Sequence, residues 1–163
     1  MKMQIVSSDD ELIGVKSKTG IDYLRDIYRI TALWLTNSKE EILIAQRSKN
    51  HKHGPSLWGP ATAGTVEEGE TYETNIEKEV EEEIGVTGIE LVKGPKQRVS
   101  GPRNFFCQWF TAVLDKPEDS FVLQVDEVDA VQWITRADLV KDVHAHPDKY
   151  VIEMSDILNL FKK

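Results

Sequence analysis

An α/β fold, with a mixed β-sheet held between helices on both faces, is what this sequence predicts. Two observations lead there. Segments rich in β-branched and aromatic residues alternate with helical stretches in a definite order: strands, a helix, more strands, then helices at the end. The chain's 163 residues suit one domain, expected to span 1–163, and 40% hydrophobic with 29% charged residues is ordinary globular composition rather than that of a disordered chain.

Along the chain, residues 11–16 (ELIGVK) read as a short strand, interrupted by Thr19-Gly20. Residues 28–35 (YRITALWL) and 41–46 (EILIAQ) read as two strands joined by a turn over 36–40, suggesting a hairpin. Residues 48–56 read as a loop and 57–69 as irregular, being broken by Gly59, Pro60, Gly64 and Gly69. Residues 71–84 are the clearest helix, with Ile76, Val80 and Ile84 at intervals of four and Gly85 as the stop. Residues 89–93, 103–114 and 127–134 read as further strands. Thr135 opens a helix, and Pro147 begins a last one whose apolar face is Val151, Met154, Ile157, Leu158 and Phe161.

Several classes are disfavoured. The single cysteine, Cys107, allows no intramolecular disulfide and no cysteine-based zinc cluster, and its apolar surroundings mark it as core. Residues 1–10 lack an apolar signal core, and no stretch reaches the roughly 18 apolar residues of a spanning helix. A cytoplasmic protein with no membrane partner is the expectation. A net charge of −8 argues against a stable nucleic-acid complex, which rests on neutralising phosphates. That charge is local: residues 67–83 hold nine glutamates and one lysine, and the rest of the chain balances 19 acids against 19 bases.

The helix carries the chemistry. At about 100° per residue, with Ile76 at zero, Glu83, Glu79 and Glu82 fall at about −20°, −60° and −120°, on one face beside the apolar stripe. Like charges spaced by three and four repel, so a bare helix bears a cost that a hard divalent cation would offset. Magnesium and manganese prefer such oxygen ligands and leave positions for water and phosphates. A solvated acidic face is the bland alternative, and the helix alone does not separate the two.

The flanking residues do. Gly64, Glu70, Glu79, Glu82, Glu83 and Gly85, with Val80 and Val86, reproduce the spacing G-x5-E-x7-R-E-U-x-E-E-x-G-U, U being aliphatic. Residues 64–86 therefore resemble the Nudix box, and the looser features Gln46-Arg47, Leu57-Trp58, Glu127-Val128 and Trp133 extend the resemblance over most of the chain. The arginine position is held by Lys78, which keeps the charge but not the planar fork.

The resemblance implies a Nudix α/β/α sandwich and a Mg2+-dependent hydrolase, with Mn2+ as the other cation, cleaving a nucleoside diphosphate linked to another group. It implies that Glu79, Glu82 and Glu83 hold the metal, joined by the backbone carbonyl of Ala63, and that Lys78 steadies Glu79. Glu79 or Glu127 would be the general base, and Glu70 would sit structurally at the helix start. Arg47, Lys49, Arg98 and Arg103 are candidate phosphate-binding cations, each competing with a plain surface role. Trp58 and Phe105 are better read as packing than as base-stacking residues, and the histidine pairs 51/53 and 144/146 are not assigned. The family also suggests a homodimer. Nucleoside di- and triphosphates, nucleotide sugars, dinucleotide polyphosphates and coenzyme A all remain open as substrates. Residues 60–63, just before the helix, lack the cysteine that the similar isopentenyl-diphosphate isomerase branch uses, so isomerase activity is disfavoured. A non-catalytic binding module is the other alternative, favoured only by Lys78.

Overall fold

The computed structural model describes residues 1–162. Its strands are β1 (Lys2–Val6), β2 (Leu12–Ser17), β3 (Ile27–Thr36), β4 (Ile42–Arg47), β5 (Trp58–Pro60), β6 (Thr62–Thr65), β7 (Val92–Val99), β8 (Phe105–Val113) and β9 (Val128–Ile134), and its helices α1 (Tyr72–Ile84), α2 (Arg136–Ala145) and α3 (Met154–Leu160).

β3 organises the mixed sheet. Along one flank it pairs in parallel with β8, from Tyr28↔Phe105 to Thr36↔Val113, and β8 carries β7 outside it. Its other flank is shared by three partners: β1 at Ile27 and Tyr28, β6 from Ile30 to Leu33, and β4 only at Thr36↔Ile42. The expected hairpin of β3 and β4 thus exists only at its turn. Beyond it the strands diverge, and β4 takes β5 and β9 as partners. The chain between them changes allegiance at the fully buried Ala61, leaving β5 on β4 and putting β6 on β3. A fork opens where β3 and β4 part.

Strand alternation sorts the core into two layers. Leu33 and Leu35 of β3, Leu43 of β4 and Phe110 of β8 face α1, where Ile76, Val80 and Ile84 are buried. Ala32 and Trp34, Ile44, Cys107 and Trp109 face the other way, against Leu139 and Val143 of α2 and Met154, Ile157 and Leu158 of α3. This is the expected α/β/α arrangement.

Helix α1 forms where its residues predict. Thr71 is its N-cap and exchanges hydrogen bonds with Thr74 in a capping box, while Gly85 ends it in the left-handed conformation, φ 68°. A Cβ on Gly85 would also crowd Val122.

Other elements depart from expectation. β1 is an addition: the polar residues 1–10 hold a short strand in which Met3, Gln4, Ile5 and Val6 are buried. β5 and β6 are only three and four residues long and hold glycine and proline, so their pairing is tertiary. β7 runs from 92 to 99 rather than 89–93; it is an edge strand, where Pro95 fits a register shift between Lys93 and Lys96. The last helix does not start at Pro147, which opens only a 3-10 turn. Tyr150 bridges Trp58 and Val151 donates to the Trp58 carbonyl at 2.9 Å, so the chain is drawn onto β5 before α3 begins. Among the described residues no helix is long and apolar enough to cross a membrane.

Candidate active site

A cleft of about 520 Å³ lies at the fork between β3–β6 and β4. One side is acidic, set by α1 against β6. Asn75, fully buried, ties the helix down: it accepts from Thr31 Oγ1 at 2.5 Å and donates to Thr65 O at 2.9 Å and Glu70 Oε2 at 2.8 Å. Gly64 lies opposite Thr31 on the α1 face of β6, directly beneath Glu79. A Cβ there would overlap Cγ, Cδ and Oε1 of Glu79, so the glycine is required by the close approach of the carboxylate.

Glu79 and Glu83 face each other. Burial, then the charge of Glu82 and Glu70, pushes the Glu79 carboxyl up to about 7 against the pull of Lys78. Burial, followed by the neighbouring Glu79, also drives Glu83 well above the usual carboxylate range, although the Ala63 amide donates to its Oε2 at 3.3 Å. Glu82 also lines the cleft but is exposed.

Lys78 shares its charge among three carboxylates. Its Nζ is 2.5 Å from Glu70 Oε1 and 2.8 Å from Glu67 Oε2, but 3.9 Å from Glu79 Oε1. It therefore chiefly clamps the loop that leads into α1. Burial opposes its charge, but the hydrogen bonds to Glu67 and Glu70 outweigh that and hold its pKa above the usual lysine value. Glu70 is held below its usual value: burial raises it, and bonds from Lys78, the Glu67 amide and Asn75 more than compensate. Its place is structural, at the entrance to the helix.

The residues fit a hard divalent cation in donor chemistry. A buried carboxylate, Glu83, and a partly buried one, Glu79, that repel each other gain most from a cation between them. A residue in an antiparallel ladder either exchanges both backbone groups with its opposite or turns both away. The Ala63 amide is turned to Glu83, so its carbonyl points to the same side. Among the described residues no three acidic or histidine side chains converge tightly enough to hold an ion as they stand. Glu79 and Glu83 meet, and Glu82 has to swing in from the rim.

The opposite side is cationic. Arg47, at the end of β4, donates from Nη1 to His53 O at 2.7 Å, which folds the 48–56 loop back over the cleft. Arg103 donates from Nη2 to Glu153 Oε1 at 3.3 Å and lies 5.5 Å from the Phe105 ring centre. Burial and then the nearby Arg103 both lower the Arg47 pKa, the mark of two cations held close together. Glu127 also lines the cleft, with Oε2 at 3.2 Å from His51 Nε2.

The fold therefore gathers Ala63, Lys78, Glu79, Glu82, Glu83, Glu127, Arg47 and Arg103 around one cleft. Arg98 is a correction: it sits on β7, separated from β3 by β8, and its guanidinium packs 5.4 Å from the Phe106 ring centre. Lys49 is likewise outside the lining, its amide bound to Asp129. Trp58 faces a separate groove beside α2, and Phe105 is buried, so neither stacks in the cleft. Cys107 is 2% exposed, and burial pushes its thiol far up, as an inert core residue. Lys18, Tyr23, His51 and His53 join the lining, and Glu153 stands behind Arg103. No local pattern marks them, because each is delivered by a turn whose docking is tertiary.

The NUDIX domain family model matches residues 27–154. An uncharacterized Nudix hydrolase of Pseudomonas aeruginosa is 31% identical over 130 residues, 79% of this chain and 75% of that protein. A prenyl-diphosphate phosphatase of Methanosarcina mazei is 25% identical over 162 residues, 97% of this chain and 94% of that one. Among solved structures, DR0079 from Deinococcus radiodurans superposes with a TM-score of 0.86 at 18% identity, covering 99% of this chain and 100% of the other. The Nudix domain of Shewanella oneidensis NrtR, complexed with ADP ribose, superposes with a TM-score of 0.60 at 18% identity, covering 89% and 90%. The chain belongs to the Nudix family, and it is a hydrolase of that family.

Proposed function

We propose that the protein hydrolyses a phosphoanhydride bond in a small diphosphate, most specifically in a nucleoside diphosphate linked to another group, with Mg2+ or Mn2+ as cofactor. The observation that carries this reading is the pairing of walls: carboxylates of α1 face Arg47 and Arg103 across one cleft. In this reading Glu79, Glu82, Glu83 and the Ala63 carbonyl hold the cation. That cation would polarise phosphorus–oxygen bonds and lower the pKa of bound water. Arg47 and Arg103 orient the diphosphate and offset its charge, which is most of what phosphoryl chemistry asks of a protein. Glu127 is the freer of the two carboxylates that can take the water's proton. Its side chain is 42% exposed beside His51, whereas Glu79 is packed over Gly64 and against Glu83.

A prenyl diphosphate is the second reading, favoured by the near full-length alignment with the Methanosarcina mazei phosphatase. Isomerase chemistry is disfavoured by the absence of cysteine from residues 60–63 and by the burial of Cys107. A binding module is disfavoured by the retained repulsion of Glu79 and Glu83.

The test is phosphate release from a panel of nucleoside and prenyl diphosphates, with and without Mg2+, using the wild type and Glu83→Gln. Metal-dependent turnover lost in the variant supports the hydrolase. Absence of metal-dependent turnover on every diphosphate overturns it, and tight binding without turnover indicates the module.

A further inference from the structure

The matched Nudix domain begins at residue 27, yet Met1, Met3, Lys18 and Tyr23 line the cleft. The N-terminal hairpin brings them there. β1 runs beside the loop before α1: Met3 bridges Glu67, and Gln4 Nε2 donates to the carbonyls of Glu67 at 2.9 Å and Glu70 at 2.7 Å. After β2, residues 18–26 turn back over the cationic side. This turn is tied at both ends. Lys16 Nζ meets both carboxylate oxygens of Asp26 at 2.7 and 2.8 Å, Asp26 accepts from the Asp22 amide at 2.8 Å, and Asn104 Nδ2 donates to the carbonyls of Tyr23 at 3.2 Å and Leu24 at 2.8 Å.

Tyr23 is the half-buried ring so presented. It packs edge-on to Tyr28, with centres 5.8 Å apart, and to His53 at 6.3 Å, on the same side as Arg103. A hydrocarbon tail needs an apolar channel, and its burial among charged tips would leave those charges poorly solvated. Here the mouth carries the cations Lys18, Arg47 and Arg103. A planar ring bearing polar edges suits an aromatic face among cations, because every base offers a π-face.

We propose that Tyr23 and Lys18, from the segment that precedes the matched domain, set the substrate class of this cleft: Tyr23 receives the nucleobase of a nucleoside diphosphate, and Lys18 an oxygen of the same nucleotide. The inference rests on the diphosphate reading of the site but is tested apart from turnover. Equilibrium binding to the full chain with Mg2+ is measured by calorimetry for ADP, GDP, CDP and UDP, and for pyrophosphate, which lacks a base. In the wild type at least one nucleotide binds more tightly than pyrophosphate. Tyr23→Ala weakens that nucleotide about 5- to 100-fold, the stacking contribution of one base, and leaves pyrophosphate within twofold. Tyr23→Phe restores binding, and Lys18→Gln weakens the nucleotide by several-fold. The proposal is overturned if no nucleotide outbinds pyrophosphate, if Tyr23→Ala weakens both ligands equally, or if the alanine variant binds like wild type. A parallel titration with isopentenyl diphosphate gives the remaining outcome: tighter binding than any nucleotide, lost in Tyr23→Ala, would make this a prenyl subsite instead. Absent turnover with the expected binding pattern would overturn the hydrolase reading and keep this one.

Discussion

The acidic side of the cleft comes from one unbroken stretch of chain, with Gly64, Glu79, Glu82 and Glu83 all inside residues 64–86, while the cations opposite come from three separate segments: Lys18 after β2, Arg47 at the end of β4, and Arg103 before β8. The difference is physical. Helical periodicity alone puts three carboxylates on one face, whereas nothing local brings Arg47 to Arg103; the parallel β3–β8 pairing and the divergence of β4 do so. One side lies on a single helix and is repulsive within itself, the other paired piece by piece to Glu153 and to the 48–56 loop.

The contrast is broken most severely from the acidic side. Glu83→Gln is expected to lower metal-dependent turnover by about 10²–10⁴-fold, the scale of losing a group central to the chemistry. The same variant should raise the melting temperature of the metal-free protein at pH 8, because it removes one member of a buried like-charge pair. A fall in both stability and turnover would mean that Glu83 serves packing rather than the metal. Gly64→Ala comes next. Its methyl group must displace Glu79, and a shift of about 1 Å costs on the order of 10²-fold in rate; the check is kinetics alongside an unchanged circular dichroism spectrum.

The cationic side should answer differently. Arg103→Ala is expected to raise KM for the diphosphate about tenfold or more, since it removes a partly buried charge and leaves Glu153 unpaired. A loss confined to kcat would place Arg103 on the reacting group instead.

The pH dependence of stability follows from the carboxylate pair. Glu79 and Glu83 have folded pKa values above their ordinary value of 4.5, so the folded state binds their protons more tightly than the unfolded chain. Their favourable contribution is present below about pH 4.5 and is lost as pH rises through about 7. The metal-free melting temperature should therefore decline between pH 5 and pH 8, with Mg2+ restoring more of it at pH 8 than at pH 5. Equal stabilisation by Mg2+ at both values would count against metal binding at this pair. The smallest effect is expected from Lys78→Arg. Lys78 mainly clamps Glu67 and Glu70, so turnover should change less than about threefold. A large gain would mean that an arginine fork on Glu79 is what the site lacks.

Much of the architecture was legible because it is periodic. Ile76, Val80 and Ile84 announced α1, Thr71 and Gly85 its ends, and the apolar runs of β3 and β8 the centre of the sheet. The short strands β5 and β6 were not, since glycine and proline there mark a bend whose pairing depends on distant partners. The placement of Arg98 failed for a related reason: strand identity was readable, but whether β7 reaches the cleft depends on its lying outside β8. Lys18 and Tyr23 gave no signal in a polar turn.

The sequence by itself determined the carboxylate face of α1 and the concentration of acidity in one segment, because each follows from spacing along a single stretch of chain. Only the tertiary structure decided which cations meet that face, that Lys78 serves Glu67 and Glu70 before Glu79, and that the N-terminal hairpin forms part of the cleft. Those contacts join residues far apart in the chain, and the parting of β3 from β4 sets the distances between them.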